Sequence, residues 1–156
     1  MDHEATIDNL NRLVHVNKDA ETGFLTAAEN VKNSELETLF SGYAAQHAKF
    51  AGELQSEIER LNGSASDSGT LGGALHRGWL DLKSTLSNHS AAGMLAACEG
   101  AEESAQIAYN DASDVIRTGQ PNALIEKHKQ QIQGIRTRLV RLVKETEDGV
   151  DFQKNE

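Results

Sequence analysis

The sequence predicts an all-α protein built as an antiparallel bundle of four long helices. Apolar residues recur every three or four positions in four separate stretches, which is the spacing of a helix with one buried face. Aromatic residues make up only 4% of the chain and there is one proline, which favours helices over a β-sandwich. Turn-forming residues separate the stretches, so each one corresponds to one helix.

The first two helices are predicted over residues 4–31 and 34–62. Ser34 and Glu37 have the spacing of a capping box, in which each side chain binds a free backbone amide at the start of a helix. Gly63 suits the position after the second helix, where the backbone turns left-handed. The short turn between the two helices makes them antiparallel neighbours.

A shorter helix is predicted over residues 71–87, after a loop at 63–70 that is rich in Gly, Ser and Asp. Its apolar residues form one stripe: Leu71, Leu75, Trp79, Leu82 and Leu86. This segment is long enough to cross back along the bundle, so that the third long helix starts at the same end as the second. The alternative is that it lies across one end of the bundle.

The last two long helices are predicted over residues 91–117 and 121–147. Ser90 is the expected N-cap of the third helix. Gly119 followed by Pro121 is the usual sequence for ending one helix and starting the next. Residues 1–147 therefore form one domain, and the polar residues 148–156 are predicted to be a disordered tail.

Composition narrows the class of protein. The chain of 156 residues has 15 basic and 24 acidic residues, a net charge of −9, which disfavours nucleic-acid binding. No stretch approaches the roughly 18 apolar residues of a transmembrane helix, and residues 1–4 do not resemble a signal peptide. The single Cys98 excludes an intrachain disulfide and fits a reducing compartment. We expect a cytoplasmic protein that binds neither nucleic acid nor membranes.

Polar residues interrupt the apolar stripes near the middle of three helices. Asn17 and Glu21 lie on the stripe of the first helix, His47 on that of the second and Glu102 on that of the third. Burying an unpaired carboxylate or imidazole costs several kcal/mol, so these side chains need partners. Counting residues from the helix ends places Glu21, His47 and Glu102 within about one helical turn of each other.

On the fourth helix the same level falls near residues 135–138. Arg136 is therefore the nearest charged candidate, whereas His128 is expected to lie one to two turns too low to join. We favour a buried ion-pair cluster of Glu21, His47, Glu102 and Arg136 that specifies how the helices align and has no chemistry of its own. No cofactor is needed in that case.

The alternative is an iron, zinc or manganese ion held by Glu21, His47 and Glu102, with Glu99 one turn before Glu102. A complete di-iron centre is disfavoured. Such centres take a Glu-x-x-His pair from each of two helices, but Ala44 occupies the position three residues before His47. The fourth helix has no Glu-x-x-His pair at all.

Other conspicuous residues have structural explanations. Trp79 could form a partner surface, but we favour its role as an anchor of the short helix on the bundle. Cys98 lies on the core stripe and is expected to be an inert buried thiol. Tyr43 and Tyr109 are expected in the core, with their hydroxyl groups bonded into the polar layer. The chain has no phosphate-binding loop, dinucleotide fingerprint or nucleophile elbow.

Several stretches together resemble a known family. They are Asn9-Leu10 with Asn17-Lys18-Asp19 and Gly23-Phe24, Phe50-Ala51 with Glu53-Leu54-Gln55, Gly73-Ala74-Leu75-His76-Arg77-Gly78-Trp79 with Leu82-Lys83, and Cys98-Glu99 with Glu102-Glu103 and Tyr109. These stretches resemble a bacterial family of uncharacterised four-helix-bundle proteins with a ferritin-like domain of unknown function. The resemblance covers residues 5–143. The resemblance implies a ferritin-like bundle with a crossover helix and no established activity. It also implies that Glu99 and Glu102 are family-like positions, and that a histidine stands in relatives where this chain has Arg136.

Three functions follow from this sequence. The first is a non-enzymatic structural or stress-associated bundle protein that forms homodimers. The second is a metal-binding protein that uses Glu21, His47, Glu99 and Glu102. The third is an adaptor whose protein partner docks around Trp79.

Overall fold

The computed structural model describes residues 3–65 and 90–152, and this part of the chain contains four α-helices and no strand. The helices are α1 (His3–Asn30), α2 (Ser34–Arg60), α3 (Ala91–Val115) and α4 (Gly119–Glu147). The prediction of four long helices is confirmed, with most ends within two residues of their predicted positions. The predicted helix over 71–87, with Trp79, and residues 153–156 lie outside the described residues.

Two apolar clusters show how the helices run. One cluster joins the second half of α1 and the end of α4 with the first halves of α2 and α3. The other joins the opposite halves of the same four helices. Helices α1 and α4 therefore run in one direction, and α2 and α3 run in the other. The end of α2 and the start of α3 therefore lie at opposite ends of the bundle.

The turn between α1 and α2 differs from the prediction in its capping residue. Asn33 has an extended backbone, and its side-chain oxygen accepts a hydrogen bond from the Leu36 amide at 3.0 Å. Ser34 is already helical, so the predicted capping box of Ser34 and Glu37 is wrong. The asparagine one residue earlier satisfies the Leu36 amide instead, because Asn is as good an N-cap as Ser.

The end of α2 places its left-handed residue at Asn62, with φ 64°, and not at Gly63. The Asn62 amide donates to the Glu59 carbonyl and the Gly63 amide to the Ile58 carbonyl, both at 2.9 Å. These are the two bonds of a Schellman motif. Gly63 is required for space, because a Cβ there would lie 2.9 Å from two side-chain carbons of Ile7.

This geometry predicts opposite effects for two glycine-to-alanine changes. Gly63→Ala is expected to destabilise the protein by about 1–3 kcal/mol, because the added methyl group overlaps Ile7. Gly52→Ala, in the middle of α2 with open space around it, is expected to stabilise by about 0.5–1 kcal/mol. Urea unfolding of both variants measures the two shifts. Equal changes in the free energy of unfolding for the two variants would contradict the close packing of the end of α2 on α1.

The remaining helix ends agree with the sequence to within two residues. The Ser90 hydroxyl accepts a hydrogen bond from the Gly93 amide at 3.2 Å, which confirms it as the N-cap of α3. Helix α4 begins at Gly119, two residues earlier than predicted. After α4, Phe152 packs against the first apolar cluster. None of the described helices has the length and apolar character needed to cross a bilayer.

Candidate functional site

His47 on α2 and Glu102 on α3 form a fully buried pair. His47 Nε2 lies 3.0 and 3.1 Å from the two carboxylate oxygens of Glu102. Neither side chain is exposed to solvent. The structure thus brings together two of the four residues predicted for a metal site, as the count of helical levels predicted.

Asn17 on α1 holds the other side of the His47 ring. Its side-chain nitrogen donates to the Leu13 carbonyl at 2.8 Å, which leaves its oxygen facing His47 Nδ1 at 2.7 Å. A carbonyl oxygen only accepts hydrogen bonds, so Nδ1 of His47 carries a proton. Phe24 stacks on the same imidazole ring with a centroid distance of 5.7 Å. The ring is therefore fixed in position and orientation.

One proton is shared between His47 Nε2 and Glu102. With Nδ1 already protonated, the contact is either an imidazolium facing a carboxylate or a neutral imidazole facing a carboxylic acid. Both forms have zero net charge, so the core holds two ionisable groups without an uncompensated charge. The pair needs no third group to be neutral.

A second series of hydrogen bonds, which we call the second arm, leads from Asn17 to the surface. The Asn17 side-chain nitrogen donates to the Tyr109 hydroxyl at 2.7 Å, and this hydroxyl lies 2.8 Å from His128 Nδ1. His128 Nε2 in turn lies 3.1 Å from the carboxylate of Glu53. Tyr109 and His128 are fully buried, whereas Glu53 is 27% exposed. We call Glu102, His47, Asn17, Tyr109, His128 and Glu53 the polar network, and it draws on all four helices.

The direction of each hydrogen bond in the second arm follows from its two ends, the Asn17 amide that donates and the Glu53 carboxylate that accepts. Because the Tyr109 oxygen accepts from Asn17, its hydroxyl proton is free to donate to His128 Nδ1. His128 is then the neutral tautomer with its proton on Nε2, where it donates to Glu53. Every bond of the polar network therefore has one donor and one acceptor.

Ionisation in the second arm agrees with these directions. Burial lowers the pKa of His128 from 6.5 to about 4, although the hydrogen bond to Glu53 opposes the shift. Burial alone would raise the pKa of Glu53, but hydrogen bonds from Lys127 and His128 outweigh it and lower the pKa. At neutral pH this arm thus holds a neutral imidazole against a carboxylate.

The prediction that Glu21 belongs to the polar layer is wrong. Ala20 is fully buried on α1, while Glu21 is only partly buried and the polar network does not include it. Positions 20 and 21 both continue a three-to-four spacing between Asn17 and Phe24. The helix turns the small apolar residue inward, because burying a carboxylate without a partner is costly.

The prediction that Arg136 points into the layer is also wrong. Its guanidinium contacts Glu99 at 3.2 Å and Gln106 at 3.0 Å, and it is 29% exposed. Arg136 and Glu99 therefore form a half-buried pair between α3 and α4, outside the polar network. Glu99 does not face His47, so the second predicted carboxylate ligand is also outside the pair.

His128 joins the polar network, contrary to the prediction. It lies at the level of Tyr109, seven residues or about 10 Å along α3 from Glu102, as the residue count indicated. The polar contacts do not form a flat layer. Asn17 and Tyr109 extend the polar contacts along the bundle axis as far as His128. Glu53 was not predicted as a site residue, although it stands in one of the family-like stretches, because it lies beside the apolar stripe of α2.

The predictions for the remaining core residues are mostly confirmed. Cys98 is buried, and burial raises the pKa of its thiol, as expected for an unreactive cysteine. Tyr109 is buried and its hydroxyl belongs to the polar network. Tyr43 is only partly buried and packs edge-on against Phe24 at 5.5 Å.

The number of possible metal ligands around the His47–Glu102 pair limits its capacity to bind an ion. Within residues 3–65 and 90–152, no group of three His, Cys, Asp or Glu side chains converges on a point where a metal could bind. His47 and Glu102 would supply two ligands, and Asn17 would orient the imidazole from behind. The described residues thus provide half of a four-coordinate site.

Comparison with known families places the sequence. Residues 5–114 match a family described as a domain of unknown function, DUF2383. The chain belongs to this family. The match includes α1, α2 and nearly all of α3, and so five of the six residues of the polar network. Arg136 and His128 lie beyond it, so the histidine expected in relatives at the position of Arg136 stays a prediction. A search of curated proteins found no match.

Proposed function

We propose that this DUF2383 protein is a ferritin-like bundle with a structural, non-enzymatic role, stress-associated and acting as a homodimer in the bacterial cytoplasm. One observation carries the structural role. The His47–Glu102 pair is enclosed, and each of its nitrogen and oxygen atoms faces a partner inside the bundle. A pair closed in this way has no atom left with which to contact a substrate.

The order of helix directions supports the ferritin-like assignment. Helices α2 and α3 run parallel, which requires one long return connection between two antiparallel hairpins. Ferritin-like bundles have a single long crossover of this kind, whereas simple up-and-down bundles have none. The apolar stripe predicted over 71–87 lies within this return connection.

The polar network supports a role in specifying the fold. An apolar seam can slide by one helical turn at small cost, but the polar contacts cannot. A shift of α2 by one turn would separate His47 from both Asn17 and Glu102 and leave buried polar groups unpaired. Buried polar residues that select one register are well attested in helical bundles.

A metal ion is the second candidate, and one specific contact favours it. Imidazole and carboxylate are common ligands of iron, zinc and manganese, and His47 Nε2 faces both oxygens of Glu102. In that case the ion replaces the shared proton between these groups. The described residues supply no third ligand, which is why we place this candidate second.

Elemental analysis of protein purified without chelator, before and after loading with Fe(II), separates the two candidates. We expect no stoichiometric iron, zinc or manganese in the parent protein. Glu102→Ala tests the pair, and Glu99→Ala is the matched control from the same helix. Stoichiometric metal that is lost in Glu102→Ala and kept in Glu99→Ala would overturn the structural proposal in favour of the metal.

Dimer formation is tested independently by light scattering at micromolar concentration. We expect a mass close to twice the 16.9 kDa of one chain. A mass equal to one chain across the concentration range would contradict the homodimer. It would leave the structural role of the polar network unaffected.

A further inference from the structure

We propose that Tyr109, His128 and Glu53 form a site for one-electron oxidation, in which Tyr109 gives an electron to an external one-electron oxidant and its proton to His128. This inference goes beyond the structural role proposed above and does not depend on it. It rests on three contacts of the second arm: Asn17 to Tyr109, Tyr109 to His128 and His128 to Glu53.

The first requirement of such a site is a base aligned with the phenol. A phenol that loses an electron becomes a strong acid, so oxidation is easiest when a base already accepts its hydrogen bond. His128 Nδ1 lies 2.8 Å from the Tyr109 oxygen, and the Asn17 contact leaves the hydroxyl proton free to be donated to it. The proton therefore only has to move from oxygen to nitrogen within this one hydrogen bond.

The second requirement is a partner for the charge that forms on the base. After the transfer, the Tyr109 O–H bond is broken, an Nδ1–H bond is formed and His128 is an imidazolium. Its Nε2–H already faces the Glu53 carboxylate at 3.1 Å, so the new positive charge meets an existing negative one. One electron leaves to the oxidant, and Tyr109 becomes a neutral phenoxyl radical.

The third requirement is protection of the radical. The Tyr109 side chain has no exposed surface, so water and dissolved thiols do not contact the ring. The Asn17 amide still donates to the phenoxyl oxygen after the proton has moved. An electron can nevertheless leave, because the next residues on α3, Asn110 and Asp111, are exposed on the other side of this helix. The path is about one helix diameter, roughly 10 Å.

The oxidant in the test is tris(bipyridine)ruthenium(III), generated by a light flash in the presence of persulfate. The chain has two tyrosines, so Tyr43→Phe leaves Tyr109 as the only one. We expect the Tyr43→Phe variant to give the electron paramagnetic resonance spectrum of a neutral tyrosyl radical. This spectrum should become narrower when the protein is produced with ring-deuterated tyrosine. Its formation should be slower in D2O. Tyr109→Phe should lose the long-lived signal.

Two further variants test the roles of the base and of the carboxylate in the Tyr43→Phe background. His128→Gln keeps a polar side chain but no base, and should slow radical formation by about a hundredfold, the lower range for a positioned base. Glu53→Gln, at the half-exposed end, should keep the fold and lower the radical yield. Circular dichroism checks the fold of both variants.

Three results would overturn the proposal. They are the absence of a tyrosyl signal in Tyr43→Phe, an unchanged formation rate in folded His128→Gln, and an unchanged yield in Glu53→Gln. The last comparison does not depend on the stability of the His128 variant. A purely structural polar network would give no difference between Glu53→Gln and its parent.

Discussion

Replacing Glu102 by leucine is expected to lower the free energy of unfolding by about 3–5 kcal/mol, the usual cost of removing one partner from a buried ion pair. The change leaves His47 Nε2 without a partner in a site that water does not reach. Leucine is close in size to glutamate, so the loss reports on polar pairing more than on a cavity. Urea unfolding followed by circular dichroism measures it.

Glu99→Leu is the control for this measurement. Glu99 lies one turn earlier on α3 and pairs with Arg136, but the pair is partly exposed and should contribute less than about 1 kcal/mol. The double variant Glu102→Leu with His47→Leu should cost less than the sum of the two single changes, because it leaves no lone partner. Additive costs, or similar losses for Glu102→Leu and Glu99→Leu, would be inconsistent with an enclosed pair.

Acidification is expected to destabilise the protein well before its carboxylates titrate. The pKa of His128 is about 4 in the folded protein and 6.5 when unfolded, so the unfolded state binds more protons between these values. Stability is therefore complete above about pH 6.5 and falls as the pH drops. The loss should reach about 2 kcal/mol by about pH 5 and about 3 kcal/mol by about pH 4. Below that, protonation of Glu53, whose folded pKa is lowered, adds to the loss.

His128→Gln separates this effect from the titration of other groups. The variant should be less stable than the parent at neutral pH, because it loses the ring that stacks on Phe50 at 4.2 Å. Its stability should nevertheless change much less between about pH 7 and about pH 5, since the group that takes up the proton is gone. His3→Gln, at the exposed start of α1, should keep the pH dependence of the parent. The same steep loss in His128→Gln would assign the effect to another residue.

The sequence alone was enough to predict the helices and most of the core. Helix positions follow from the apolar spacing and from turn residues such as Ser90, because these act within a few neighbouring residues. Cys98 and Tyr109 on α3 are buried, as predicted. The presence of His47 and Glu102 on the core stripes was also enough to predict that they meet, because a buried carboxylate requires a partner.

Only the tertiary structure decided which side chains complete the polar network. Ala20 and Glu21 both fit the apolar spacing of α1, and the packing of the first apolar cluster selects Ala20. Arg136 had the right height on α4, but its direction depends on how α4 is rotated against α3, where Glu99 and Gln106 bind it. His128 joins because Asn17 and Tyr109 link two levels of the bundle. Spacing along a helix determines which face a residue occupies to within one position, whereas hydrogen bonds depend on the rotation and depth of neighbouring helices, which come from packing.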